Sequence, residues 1–266
     1  MELGWGVDRN VRIWHLGSGE ARGLWESRLA SMFWTEGSLH KRDDRGREVW
    51  QAETEGESFA VKSRPLSGVG DRMRFRFGST DLGRSVLGAA VLTARGFQTP
   101  KVRVLGLVRT DTGWAEVLVT DWAEGQTLLS AWAAADERAR SELARRAGEH
   151  VGRLAHAGLF NRDAKPSNVV IDSEGAFVML DVGGVRLSGG DRPRELARML
   201  GALGFEPTGV GHGPGFWQVF ACVRAAVRGS GVDRRGDVIA LLRRQILDHP
   251  NPAPKDNPLA QEPEMR

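Results

Sequence analysis

The order of the predicted secondary-structure elements constrains the fold of this chain more than any other feature of its sequence. Short segments of the first half alternate between polar and apolar residues, which is typical of strands with one buried face. One Ala- and Leu-rich helix interrupts these strands and stops at Gly96, with Pro100 shortly after, as helix ends commonly do. The elements predicted for this half are strands over 49–54 and 58–62, a helix over 81–95, and strands over 102–109 and 115–120.

The second half is mostly helical, with one short hairpin embedded in it. Apolar residues recur at three- and four-residue spacing over 137–157, which predicts a long helix with one buried face. The predicted elements are helices over 127–134, 137–157, 192–203, 214–228 and 234–248, and hairpin strands over 168–172 and 176–181. Strands followed by helices predict an α+β protein of two lobes, with a ligand-binding cleft between them.

The expected boundaries follow from this division. The N-terminal lobe is predicted over 1–120 and includes a Trp-rich extension, 1–35, that packs on the next unit. The helical lobe is predicted over 121–248. The tail over 249–266 is rich in proline and polar residues, which predicts disorder.

The composition excludes several classes of protein. A single cysteine, Cys222, excludes an internal disulfide and a Cys-rich zinc site. No apolar run approaches the roughly 20 residues of a membrane-spanning helix, and the first residues lack the pattern of a secretory signal. A cytoplasmic location is therefore expected. The basic residues are scattered and match no recognised nucleic-acid motif, so no nucleic-acid partner is expected.

The residues on either side of the predicted hairpin carry the chemistry of phosphoryl transfer. That reaction requires a carboxylate that orients the attacking hydroxyl, oxygen ligands for magnesium, and cations that face the phosphate charge. Asp163, Lys165, Asn168 and Asp181 supply this set. Only five of the 37 basic residues are lysines, so a lysine in this string is more informative than an arginine. Magnesium prefers oxygen ligands and keeps few protein contacts, so one Asn and one Asp suffice.

The spacing of these residues resembles the protein-kinase-like fold. Asp163 and Asn168 stand five residues apart, as in the catalytic loop H-R-D-x-x-x-x-N. Asp181-Val182-Gly183 looks like D-F-G, and Phe59-Ala60-Val61-Lys62 looks like V-A-I-K at the end of a strand. Together they predict a two-lobed kinase-like protein with its catalytic residues in the helical lobe.

Within this fold, the chain most resembles the bacterial Kdo/WaaP-type lipopolysaccharide kinases, as a divergent relative. Three segments carry the resemblance: the end of the first helix at Gly96-Phe97-Gln98-Thr99-Pro100, the connector from Asp121 to Leu128, and the segment Arg194–Leu200. No A-P-E sequence follows Asp181, which argues against a peptide substrate.

The resemblance implies a kinase that uses ATP and Mg²⁺ and phosphorylates a hydroxyl of a sugar or lipid-linked saccharide. It implies that Asp163 accepts the proton of that hydroxyl and that Lys165 offsets charge on the migrating phosphoryl group. The other implied contacts are Lys62 with the α- and β-phosphates, Asn168 and Asp181 with Mg²⁺, Arg45 or Arg47 with the phosphates, and the backbone of Thr120, Asp121 and Trp122 with adenine.

Three positions depart from the kinase pattern. Asn161 stands where the catalytic loop usually has His, and Gly46 is the only glycine of the loop 41–47, where a glycine-rich loop is expected. Ser85 occupies the helix position of the glutamate that pairs with the strand lysine, and the nearest acid is Asp81, one turn earlier.

Two other functions stay open at this point. A protein Ser/Thr kinase is favoured by Lys165-Pro166 within D-x-K-P-x-N, a pattern common in that class. A pseudokinase that binds nucleotide or acts as a scaffold is favoured by Ser85 and by the missing glycines.

The basic segment 72–77 has two interpretations. Its arginines alternate with apolar residues, which predicts an edge strand or a loop with a solvated face. The alternative is contact with a charged sugar or with anionic lipid, peripherally at the inner face of the membrane. His150 and His156 are expected to be ordinary helix residues rather than ligands.

Overall fold

The computed structural model describes residues 10–209, 211–232 and 235–248. These residues form two compact units. One comprises the described residues up to Ala94 together with Thr99–Ala123, and the other comprises Arg95–Gln98 and the described residues from Glu124 onward. The predicted tail over 249–266 lies outside the described residues.

The first unit is built on a six-stranded antiparallel sheet in the order β1-β5-β6-β4-β3-β2. Its elements are β1 (Val11–Leu16), α1 (Arg22–Ala30), a 3-10 helix (Phe33–Glu36), β2 (Ser38–Arg42), β3 (Glu48–Thr54), β4 (Glu57–Pro65), α2 (Val69–Arg76), α3 (Asp81–Ala94), β5 (Val102–Thr110) and β6 (Gly113–Asp121). The four predicted strands are thus confirmed as β3 to β6, and the predicted helix is α3.

Side chains from both faces of this sheet are buried. Phe59 and Val61 of β4 belong to a core that also contains Trp25 of α1 and Trp34 of the 3-10 helix. Leu118 of β6 belongs to a second core, which includes side chains of α2 and α3. Successive side chains of a strand point to opposite faces of the sheet. Neighbouring residues of these strands therefore contribute to two different cores.

The N-terminal extension is part of this sheet rather than an addition to it. β1 pairs antiparallel with β5, from Val11 opposite Val108 to Leu16 opposite Val104. The predicted packing of this segment on the next unit is confirmed for its described residues, but its strand β1 was not predicted. The reason is that its strand partner lies about ninety residues further along the chain, outside the reach of any local pattern.

The segment 72–77 is helical, so the predicted edge strand or loop is wrong. The carboxylate of Asp71 in the first turn of α2 accepts hydrogen bonds from the N–H and the hydroxyl of Ser67. This contact holds the start of the helix. Of the apolar residues that alternate with the arginines, only Phe75 is buried, so a strand's single buried face is not formed.

The second unit is mostly helical. Its elements are β7 (Gln126–Thr127), α4 (Leu128–Ala134), α5 (Glu137–His156), β8 (Leu159–Asn161), a 3-10 turn (Pro166–Asn168), β9 (Val169–Ile171), β10 (Phe177–Met179), β11 (Val185–Leu187), α6 (Arg192–Gly209), α7 (Phe216–Ser230) and α8 (Arg235–Asp248). Strands β10, β9 and β7 form one small sheet, and β11 and β8 form another.

Helices α5 and α7 pack with their backbones close together. A Cβ atom on Gly148 would lie 2.1 Å from the carbonyl oxygen of Cys222, and one on Gly152 would lie 2.5 Å from that of Ala226. Both distances are too short for non-bonded atoms, so only glycine permits this approach. The predicted buried face of α5 is confirmed, since Val151 is buried there. None of the helices within the described residues has the length and hydropathy needed to cross a bilayer.

Candidate active site

The predicted catalytic loop connects β8 to β9 and is folded by its own backbone. The N–H of Lys165 donates to the carbonyl of Asp163 at 2.8 Å, and the N–H of Asn168 donates to the carbonyl of Lys165 at 3.0 Å. Pro166 begins the 3-10 turn that follows. These short-range bonds convert the sequence spacing between Asp163 and Asn168 into a defined turn.

Asn161 and Asn168 both hold Asp163 through side-chain hydrogen bonds. The Oδ1 atom of buried Asn161 accepts the N–H of Asp163 at 3.0 Å, and the Nδ2 atom of Asn168 donates to the carbonyl of Asp163 at 3.0 Å. The N–H of Asn161 donates in turn to Sδ of Met199 in α6 at 3.3 Å. Asn161, which departs from the usual His, therefore anchors the loop to the helical core.

Asp181 follows directly on the strand that pairs with the end of this loop. Val169 of β9 lies opposite Met179 of β10, and the N–H of Leu180 donates to the carbonyl of Asn168 at 2.8 Å. The antiparallel pairing brings Asn168 and Asp181 to neighbouring ends of one hairpin. The side chain of Asp181 is exposed.

These two residues fit a magnesium ion. Nδ2 of Asn168 donates to the backbone, so Oδ1 is the atom of this amide that can act as a ligand. Magnesium takes one or two protein ligands together with substrate phosphates, so Asn168 and Asp181 would hold it. Within the described ranges, no three His, Cys, Asp or Glu side chains converge as a metal site.

Gly184 forms one wall of the pocket around the Asp163 carboxylate. A Cβ atom on Gly184 would lie 2.4 Å from Oδ2 of Asp163 and 3.2 Å from Oδ1 of Asn161. The carbonyl of Gly184 also accepts the N–H of Arg162 at 3.2 Å, and Nη2 of Arg162 lies 3.2 Å from Oδ2 of Asp163. The sequence interpretation did not single out Gly184. The sequence feature that could have identified it is the second of two consecutive glycines in Asp181-Val182-Gly183-Gly184.

A second carboxylate supports the loop from α6. Glu206 accepts the N–H of Ser167 at 2.8 Å and its hydroxyl at 2.6 Å. Lys165, two residues earlier, is exposed. The loop therefore presents Lys165 to solvent while its base is bound to a helix. No local pattern predicted the contact, because Glu206 lies 39 residues away.

Lys62 lies on β4 of the first unit, directly opposite Leu118 of β6 and Val49 of β3. Directly paired residues point to the same face of a sheet. Leu118 packs against Val86 and its neighbours in α3, so Lys62 lies on the sheet face that carries α3. This is the face expected from the resemblance.

In α3, Ser85 stands at the position where the kinase pattern has a glutamate. Ser85 is buried, and its hydroxyl donates to the carbonyl of Asp81 at 3.0 Å within α3. The Asp81 carboxylate forms ion pairs with Arg84 and, at 3.5 Å, with Arg47. Asp81 is thus engaged with two arginines of its own unit.

A buried carboxylate that the sequence interpretation missed lies near this position. Glu116 of β6 is fully buried and lies opposite Arg64 of β4, whose Nε donates to it at 2.6 Å. The hydroxyl of Thr80 also donates to Glu116 and accepts the N–H of Gly83 at 2.9 Å, which caps α3. Burial raises the pKa of Glu116, against the hydrogen bonds from Thr80 and Arg64. The start of α3 is therefore fixed to the sheet by a polar cluster.

The loop expected to be glycine-rich is a tight turn built on Asp43. Its carboxylate accepts the backbone N–H groups of Arg45 and Arg47, both at 2.9 Å, and Nε of Arg47 at 2.8 Å. These bonds, from Arg47 above all, lower the pKa of Asp43. The side chain of Arg45 is exposed, whereas that of Arg47 pairs with Asp43 and Asp81.

The segment expected to meet adenine is the end of β6. Thr120 pairs within the sheet, and the N–H groups of Asp121 and Trp122 donate to the carbonyls of Lys101 and Ser58 at 3.0 and 2.9 Å. These two donors are already used, so a contact with adenine would have to involve other groups of the segment. The Trp122 ring lies 5.1 Å from that of His40.

His150 is buried in α5 between aromatic rings, 5.8 Å from Phe97 and 5.5 Å from Phe177 between ring centroids. Burial lowers its pKa to about 4. This environment is that of a core residue.

Comparison with known proteins gives one match to a family model and one to a solved structure. A family model described as the ABC1 atypical kinase-like domain matches residues 95–205. This range contains Asp163, Lys165, Asn168 and Asp181. No curated protein sequence matches the chain.

A solved structure described as WaaP in complex with acyl carrier protein resembles most of the chain. The TM-score is 0.59 at 16% sequence identity, over 86% of this chain and 96% of that chain. The resemblance expected from the motifs is confirmed at the level of the fold. The chain is therefore an α+β protein with the protein-kinase-like fold.

Proposed function

We propose that this protein is an ATP-dependent phosphotransferase that phosphorylates a hydroxyl of a sugar or lipid-linked saccharide. The observation that carries the proposal is the way Asp163 is held. Two asparagine side chains bind its backbone, and Gly184 lies against its carboxylate. A general base must be positioned within hydrogen-bond reach of the proton that it removes, and such support is what that task requires.

In the proposed reaction, Asp163 orients the acceptor hydroxyl and accepts its proton. A bond forms between the acceptor oxygen and the γ-phosphorus, while the bond from that phosphorus to the β,γ-bridging oxygen breaks and ADP leaves. Lys165 offsets the negative charge that is spread over the migrating group, and Lys62 contacts the α- and β-phosphates. Asn168 and Asp181 would hold Mg²⁺, which neutralises phosphate charge when bound.

The acceptor class is proposed from two observations. The fold resembles that of WaaP, and an apolar cavity of about 70 Å³ adjoins Pro166 at the base of the catalytic loop. Its walls include Leu128, Trp132, Leu200 and Val223. A cavity of this size and lining would admit a few methylene groups of a lipid-linked acceptor, and its apolar walls do not suit a polar peptide side chain.

The second candidate function is a pseudokinase that binds nucleotide without turnover. This function is favoured by Ser85, which is buried at the position of the kinase glutamate. Its hydroxyl donates a hydrogen bond to the carbonyl of Asp81 in the same helix. In active kinases this position carries the glutamate that pairs with the strand lysine.

The two functions are distinguished by measuring binding and transfer separately. Thermal melting with ATP and Mg²⁺ reports binding, because a ligand that binds the folded state raises its stability. Transfer of labelled γ-phosphate to lipid-linked saccharides, to free sugars and to protein reports turnover and acceptor class.

Asp163→Asn is the decisive variant, with Glu174→Gln as the matched control. Glu174 lies exposed in the hairpin turn of the same unit, so its change also removes one carboxylate. We expect Asp163→Asn to abolish transfer while the ATP-induced melting shift persists, and Glu174→Gln to change neither. A melting shift without any transfer by the unmodified protein would support the pseudokinase, and transfer to protein alone would support a protein kinase.

A further inference from the structure

Helix α2 exposes a row of large apolar side chains. Val69, Met73 and Phe77 are 75%, 49% and 71% exposed. They follow one another at four-residue spacing, so successive members are rotated by only about 40° around the helix. The three side chains therefore form one continuous apolar strip on the solvent side of α2.

The opposite side of α2 is already occupied by the fold. Phe75 is buried against the second core, and its ring centroid lies 6.4 Å from that of Trp14. Asp71 is bound to Ser67 and lies 3.8 Å from Arg64. Because Phe75 fixes the inward side, the exposed strip does not result from a loosely placed helix.

Three arginines flank this strip. At about 100° per residue, Arg72 and Arg76 lie along one edge of the strip and Arg74 lies near the other. Asp71 is the only acid in Val69–Arg76, and its carboxylate is engaged on the inward side. With three arginines and one acid, α2 thus combines exposed apolar side chains with a net positive charge.

We propose that α2 docks this protein on the surface of an anionic lipid bilayer. An apolar strip edged by basic residues is the arrangement that inserts at the boundary between headgroups and acyl chains. Arginine suits this position because its planar guanidinium binds phosphate oxygens in pairs. Alternation of arginine with large apolar residues favours lipid over nucleic acid, which has no apolar layer to receive Phe77. The docking does not depend on phosphoryl transfer.

The test is sedimentation of the full chain with vesicles of pure phosphatidylglycerol and, separately, of pure phosphatidylcholine. Each arginine near an anionic surface contributes about a fivefold factor to partitioning. We therefore expect Arg72→Gln/Arg76→Gln to weaken binding to phosphatidylglycerol by about 25-fold. The matched control is Arg109→Gln/Arg138→Gln, which removes the same charge from exposed positions elsewhere and should reduce binding far less.

The apolar strip has its own pair of variants. Val69→Ser/Phe77→Ser should abolish binding with little change in melting temperature, because both side chains are exposed. Trp217→Ser is the control, because Trp217 is a large aromatic side chain outside α2 that is 73% exposed, about as much as Phe77. Equal binding to both lipids, unchanged binding by the α2 variants, or loss of binding in the Trp217 variant alone would each overturn the proposal.

Discussion

Gly184→Ala is the substitution that tests the role of the Asp163 pocket most directly. The added methyl group would lie 2.4 Å from Oδ2 of Asp163, whereas ordinary contact begins near 3.4 Å. Asp163 must therefore shift by about 1 Å to admit it. Gly184 does not have a positive φ, so alanine fits its backbone and the change acts through the carboxylate.

The expected effect is large on catalysis and small on stability. A misplacement of about 1 Å in a positioned catalytic group can cost about 100-fold in rate. The displaced atom is the end of a side chain that is partly open to solvent, so we expect the free energy of unfolding to fall by no more than about 1 kcal/mol.

The assay compares kcat and the ATP-induced melting shift of the variant with those of the unmodified protein. Gly23→Ala is the matched control, because Gly23 lies in α1 of the first unit and a Cβ atom there meets nothing within 4 Å. We expect kcat to fall about 100-fold in the Gly184 variant with the ATP shift retained, and the control to keep both. Full activity in the Gly184 variant would refute the argument that Asp163 acts from the position described.

Three further predictions concern stability. Burial tends to raise the pKa of Glu20, but hydrogen bonds from Lys101 and two other donors outweigh it and lower the pKa from 4.5 to about 2. The ionised carboxylate therefore stabilises the fold above pH 4.5. Because solvent screens these contacts, acid titration should show a loss of about 1 kcal/mol as the pH falls towards 2, and Glu20→Gln should not show it. Gly148→Ala should lower the free energy of unfolding by about 3 kcal/mol or more, measured by urea denaturation, because its methyl group would meet a backbone carbonyl of α7. Thr80→Val should lower the free energy of unfolding by about 2 kcal/mol in the same assay, because it removes both the cap of α3 and a partner of buried Glu116. An unchanged denaturation midpoint would contradict the packing argument for Gly148→Ala and the capping argument for Thr80→Val.

Much of the candidate site could be predicted because its contacts are local. Asp163, Lys165 and Asn168 are joined by hydrogen bonds that span at most five residues, so their spacing in the sequence already contains the turn. The hairpin that carries Asp181 follows from a short turn between two apolar segments. The strand that carries Lys62 is visible from alternation alone, because alternation records which side chains are buried.

The supports of that site could not be predicted in the same way. Glu206 reaches Ser167 across 39 residues, and Glu116 reaches Thr80 across 36. A carboxylate in an unassigned sequence gives no sign of which distant hydroxyl it will bind. The segment of α2 was predicted to be a strand or loop because arginine and apolar residues alternate in it. In the structure, Phe75 is the only one of these apolar side chains that is buried.

By itself, the sequence determined strands β3 to β6, helix α3, the helices of the second unit and the residues that suit phosphoryl transfer, because these depend on neighbours within a few positions. Only the tertiary structure decided that β1 completes the sheet beside β5, that Gly184 closes on Asp163, and that the apolar strip of α2 faces solvent. The physical reason is common to all three. Burial and close contact are properties of atoms brought together by the whole fold, and a local pattern does not contain them.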